Sequence, residues 1–225
     1  MLDHLARLKT LRGPGALSAA FGKRLLALKA WQQERLTRTY TDLAAQPRYA
    51  RAVASFLDDL YGAKDFASRD EQMVRIHPTM VRLLPASTVE TVGLALELDA
   101  LAEELDQAVV RALPPGDITE RGYCEAFRAV GMEPARMRQV ALVSEVGGRL
   151  DEVVKKPLIY STLKLLRGPS KLAGLSDMQS FLERGFTAFR HMGGADDFLA
   201  TIARRETAVI KRIFSSHPSP FSALP

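Results

Sequence analysis

His77 falls on one predicted helical face with Met73, Met80 and Leu84, immediately before Pro78, a place where a haem iron could find an axial ligand. His191, beside Met192 in a Phe-rich stretch, would supply a second. With Phe181, Phe189 and Glu206, these histidines define a candidate inter-helix pocket for an apolar or amphipathic small molecule, lipid-like or haem. The competing reading makes each histidine a hydrogen-bonded core residue. Glu206 interrupts the apolar row Leu199, Ile202, Val209 and Ile213. Buried there, it would need a cation or a raised pKa; the simpler expectation is a helix-boundary glutamate paired with Arg190 or another surface arginine. Between Glu97 and Asp106 the carboxylates fall at helical spacing, Glu97 two turns from Glu104 and Asp99 two turns from Asp106. Such a run could bind Mg²⁺, face solvent opposite a leucine stripe, or dock on a basic neighbour; the last two are the expectation.

Other reaction chemistries fail on spacing. Gly22-Lys23 is followed by Arg24, and Gly15 stands at the wrong distance for a phosphate loop. Gly13-Pro14-Gly15 reaches Ser18 where a dinucleotide fingerprint needs its third glycine. There is no Gly-x-Ser-x-Gly elbow. None of His4, His77, His191 or His217 follows a glutamate by three residues, as a di-iron bundle requires. Cys124 is the only cysteine, so neither a disulfide within the chain nor a cysteine-clustered metal site can form. We therefore assign no catalytic residue, no metal ligand and no cofactor, and read the chain as non-enzymatic.

The charge balance is basic, 31 Lys and Arg against 26 Asp and Glu, a formal +5. Basic residues gather at Arg149, Lys155, Lys156, Lys164, Arg167 and Lys171, and again at Arg204, Arg205, Lys211 and Arg212, with Tyr160 as the interleaved aromatic. A nucleic acid or an anionic membrane surface would suit this stretch, and a solvated helix face would equally account for it. The heptapeptide Leu8-Lys9-Thr10-Leu11-Arg12-Gly13-Pro14 is repeated, with one change, as Leu163-Lys164-Leu165-Leu166-Arg167-Gly168-Pro169. Both copies read as helix stops, with a basic last turn and a left-handed glycine cap. The sharper alternative makes Arg12 and Arg167 anion contacts, joined by Lys155, Lys156 and Lys164.

The elements that must position these residues follow the 3.6-residue period. Helices are expected to Leu11, over 16–45 along Leu17, Phe21, Leu25, Leu28, Leu36, Tyr40 and Leu43, and from Pro47 to Gly62. Capping-box pairs Ser68 with Glu71, Ser87 with Glu90, Asp117 with Glu120 and Ser176 with Gln179 mark further starts. A long segment over 134–166 is expected to bend or break near Gly147-Gly148 and Pro157, and Pro78 to kink its helix. The reading is all-α: a single multi-helix bundle of about eight helices without a sheet. Residues 1–225 form one domain, or two packed halves, 1–113 and 117–214, divided at Pro114-Pro115-Gly116. Ser215–Pro225 is read as a loose tail. No apolar run reaches the ~18 residues of a membrane span, the first ten residues do not read as a secretory leader, and a cytoplasmic address is expected.

Ser55-Phe56-Leu57-Asp58-Asp59-Leu60-Tyr61-Gly62, with Lys64-Asp65-Phe66 and Arg69-Asp70 after it, resembles the signature of the FFLEELY-motif family of bacterial proteins. Ser55 replaces the first Phe, and both Glu positions are Asp. The resemblance implies a helical protein and carries no catalytic residue with it. Phe56, Leu57 and Leu60 make a buried face; Asp58, Asp59 and Tyr61 either close the helix or meet Arg69 or Arg75 at a partner surface. The functional expectation is a protein-interaction module, with self-association or another protein as partner; small-molecule binding and nucleic-acid or anionic-membrane binding are the alternatives.

Overall fold

The computed structural model describes residues 1–57, 67–83, 85–165, 167–172 and 176–225. Among them every regular element is a helix: α1 Leu2–Arg12, α2 Ala19–Thr39, α3 Thr41–Ala44, α4 Pro47–Ser55, α5 Ala67–Leu83, α6 Ala86–Ala112, α7 Glu120–Val130, α8 Glu133–Val154, α9 Pro157–Leu165, α10 Arg167–Leu172, α11 Ser176–Met192 and α12 Asp196–Phe214. The all-α reading holds, with more and shorter helices than the eight expected.

Local chemistry explains the extra breaks. The helix expected over 16–45 begins later, because the Ser18 hydroxyl accepts from the Phe21 amide at 3.3 Å, and it is interrupted at Tyr40. The segment 134–166 divides at Lys155-Lys156, since the residue before Pro157 is pushed out of helical geometry. Gly147-Gly148 does not break α8, and α5 continues through Pro78. The start expected at Asp117 falls at Glu120, where Thr119 Oγ1 accepts from the Gly122 amide at 3.1 Å. Pro85, not Ser87, occupies the cap of α6.

Two apolar clusters mix residues from both sides of Pro114-Pro115-Gly116. In the first, Leu36, Tyr40, Tyr49 and Val53 pack on Ala188, Met192, Phe198 and Ile202. In the second, Leu25 and Leu28 of α2 meet Val109 of α6, Tyr123 and Phe127 of α7, and Val209 and Ile213 of α12. Leu28 and Val109 are wholly buried, and a buried aliphatic side chain of this size stabilises the fold by about 1.5–3 kcal/mol. A smaller cluster joins Leu5 and Leu8 of α1 to Leu96 and Ala100 of α6.

Residues 215–225 are not loose. Phe221 and Leu224 pack on the second cluster, and Phe221 lies edge-on to Trp31 at 6.0 Å. Arg212 donates to the Ala223 carbonyl at 3.2 Å, and Arg205 to that of Pro225 at 3.2 Å. Three prolines suggest looseness in the sequence, but Pro218 and Pro220 also stiffen the return path that carries Phe221 to its aromatic site. Among the described residues no helix is long and apolar enough to cross a membrane.

Candidate functional site

The acidic run of α6 faces inward onto cations. Arg12, the last residue of α1, donates Nε and Nη2 to Asp70 of α5 at 2.7 and 2.9 Å, and Nη1 and Nη2 to Asp99 of α6 at 3.1 and 2.6 Å. Glu103 lies 3.5 Å from the same guanidinium and 2.7 Å from Lys29 Nζ of α2. The Arg12 side chain is 8% exposed and that of Glu103 2%. Burial alone would push the Arg12 guanidinium down, but the hydrogen bonds to Asp70 and Asp99 more than offset it and keep the group charged. Arg7 pairs with Glu104, and Arg138 with Glu97 at 2.9 Å. The run therefore docks on basic neighbours. Among the described residues, no group of three or more His, Cys, Asp or Glu side chains is placed to hold a metal ion.

A second internal ion pair ties α2 to α12. Arg35 Nη1 and the Tyr40 hydroxyl donate to one oxygen of Glu206, at 2.7 and 2.8 Å. The partner of Glu206 is thus a buried arginine 171 positions away in sequence, not Arg190 or a surface residue. Gln32 donates to Asp106 at 2.9 Å nearby, and burial pushes the Asp106 carboxyl up. The residue before Glu206, Arg205, clamps Asp42, with both distances 2.7 Å. These contacts bind helix to helix, although the buried Arg35 Nε has no hydrogen-bond partner among the described residues.

The outer face of α5 is different. Val74 and Val81 are 51% and 52% exposed, with Pro78 exposed between them. Met73 turns the other way, onto the cluster of Leu5 and Leu8. Beside this aliphatic strip, Glu71, Arg75 and Arg82 are exposed on the same side of the helix. The valines are hard to see in the sequence because they share the 3.6-residue period with the inward residues Met73 and Ile76. The available signal was that residues 74, 78 and 81 form a second row.

The model of a domain of unknown function, DUF8198, matches residues 14–220. The chain belongs to the DUF8198 family. No curated protein and no solved structure matches it. The DUF8198 match spans both sides of Pro114-Pro115-Gly116 and takes in Asp70, Asp99 and Glu103, while their partner Arg12 precedes it.

Other candidate residues in this DUF8198 chain are dispersed. His77 is half-buried in α5. His191 is exposed, its Nε2 3.2 Å from the Pro47 carbonyl; a carbonyl only accepts, so that nitrogen carries the proton. Phe189 lines an open cleft of about 220 Å³ together with Asp151, Lys155, Arg190, Gly193 and Gly194. Neither histidine nor Glu206 is among the lining residues. Lys155 pairs with Asp151 at 2.6 Å and Arg167 with Glu183, while Lys164 lies over the Tyr160 ring at 4.4 Å. Lys156 is exposed. For Arg12 and Arg167, the anions contacted are the chain's own carboxylates, because each lies within reach of a carboxylate on a neighbouring helix. Arg75 is exposed on α5. Asp58, Asp59 and Tyr61, and the Phe181 side chain, lie outside the described residues.

Proposed function

We propose that this chain is a non-enzymatic helical interaction module that binds a protein partner through the outward face of α5. The observation that carries this reading is the exposed Val74–Pro78–Val81 strip on a helix anchored at its amino-terminal end through Asp70 and on its inner side through Met73. Half-exposed aliphatic residues at i, i+4 and i+7 are the pattern by which a helix is read by a groove or a second helix, and covering them removes apolar surface from water. The internal use of the acidic run supports the same reading, since those carboxylates serve helix-to-helix contacts. Small-molecule binding has a weaker foothold: the cleft at Phe189 is smaller than the ~300 Å³ at which ligand pockets begin. The resemblance at residues 55–62 and the buried, unpaired Cys124 support a bacterial, cytoplasmic setting for the module.

The test is an affinity capture with the full-length chain beside its Val74→Asp/Val81→Asp variant, followed by identification of what is retained. The reading expects retained protein that the variant loses while its helical circular dichroism stays unchanged. Capture indifferent to the two aspartates would overturn it.

A further inference from the structure

The layout of charge along α5 narrows the partner to one chemistry. Glu71 stands at the amino-terminal end of the exposed face and Arg82 at its carboxyl-terminal end, with Val74, Pro78 and Val81 spaced between them. Eleven residues separate the two charges, about 16 Å along a helix rising about 1.5 Å per residue. At about 100° per residue, Glu71, Arg75 and Arg82 share one flank of the strip.

We infer that α5 docks on α5 of a second copy of this chain, antiparallel about a two-fold axis; the inference rests on the interaction-module reading above. An antiparallel two-fold, perpendicular to the plane of the paired helices, leaves each polar flank on the same edge of the interface and reverses its direction. Val74 then lies beside the second copy's Val81, twice, and Glu71 comes within reach of the second copy's Arg82, twice. A parallel two-fold would instead send the two flanks to opposite edges, where neither Glu71 meets an arginine of the other α5. An isologous interface needs a surface complementary to itself, and an acid and a base placed symmetrically about an aliphatic centre meet that need. The two Arg75 side chains sit nearer the axis, each one turn from its own Glu71, which screens their repulsion.

One short helix pair covers less than the ~1,200 Å² below which complexes are weak and transient. Association is therefore expected at high protein concentration, with rapid exchange between monomer and dimer.

The experiment is sedimentation velocity on the full chain between about 10 and 200 µM, the range suited to a small interface. The wild type is expected to shift with concentration from monomer toward dimer, and Val74→Asp/Val81→Asp to stay monomeric throughout. Glu71→Arg and Arg82→Glu are each expected to weaken association about fivefold, as two exposed ion pairs per dimer would. Combined in one chain, these two substitutions exchange the charges, and the double variant is expected to associate like the wild type. A wild type monomeric at every concentration, or a double swap no tighter than either single, would overturn the inference. If the wild type is monomeric but its capture of another protein still depends on Val74 and Val81, the second-copy assignment fails and the module reading stands. If neither association nor capture depends on them, both fail.

Discussion

Arg12 and Arg167 hold the same place in nearly identical heptapeptides and have unlike fates. Arg12 closes α1, is 8% exposed, and is held by Asp70, Asp99 and Glu103 from two other helices. Arg167 opens α10, is 59% exposed, and meets Glu183 of α11. Neither copy uses a left-handed glycine: Gly13 has φ −66°, and Gly168 lies inside a helix. Heptapeptides alike at six of seven positions stop one helix and start another, so the surroundings decide. The first copy lies against the acidic face of α6, where three carboxylates need a cation; the second lies at the surface, where water serves either charge.

The largest expected effect comes from deleting the two arginines in turn. Arg12→Leu leaves carboxylates buried without their shared cation and should cost about 3 kcal/mol, the lower end for breaking a buried pair, because Lys29 stays on Glu103. Arg167→Leu should cost far less, because the arginine it removes is exposed and its ion pair is screened by water. Urea unfolding of both variants is the check, and equal losses would break the comparison. Adjacent glycines offer the next contrast. A Cβ on Gly147 would come within 2.5 Å of Leu199 of α12, whereas one on Gly148 meets nothing within 4 Å. Gly147→Ala should therefore destabilise by about 1–3 kcal/mol through overpacking, and Gly148→Ala should gain about 0.5–1 kcal/mol in helix propensity; thermal melts of the pair give the sign directly.

A smaller effect sharpens the surface side. The hydrogen bond from Arg167, followed by that from Gln179, holds the Glu183 carboxyl down to about 2 from an ordinary 4.5. A depressed carboxylate contributes stability above its unfolded pKa and loses it as pH falls toward the folded one. Wild type and Arg167→Leu should thus differ most above pH 4.5 and converge toward pH 2, and the difference should be small because the pair is screened. The smallest expected signal is from Cys124, whose thiol burial pushes up to about 11. It should resist thiol reagents at about pH 8 until the chain is unfolded, since the thiolate is the reactive form.

The period of the apolar residues made the helices legible, and Pro157 marked a real break. Partner choice was not legible: Glu206 finds Arg35 across 171 positions, a contact that depends on how α2 crosses α12 rather than on either local sequence. The tail failed for a related reason. Its prolines were visible, but the aromatic site formed by Trp31 and Tyr123 exists only once α2 and α7 have packed. Of the candidate site, Arg75 was legible and its neighbours Val74 and Val81 were not, because periodicity reports that a row is apolar and leaves open which row the core takes.

The measurement that tests the α5 assignment most directly is backbone amide exchange, read by mass spectrometry on the full chain at about 1 and about 200 µM, bracketing a weak interface. Peptides spanning residues 70–83 should exchange more slowly at the higher concentration, with those from α6, α7 and α8 unchanged. Unchanged exchange across α5, or protection centred on residues 155–171 instead, would contradict the assignment.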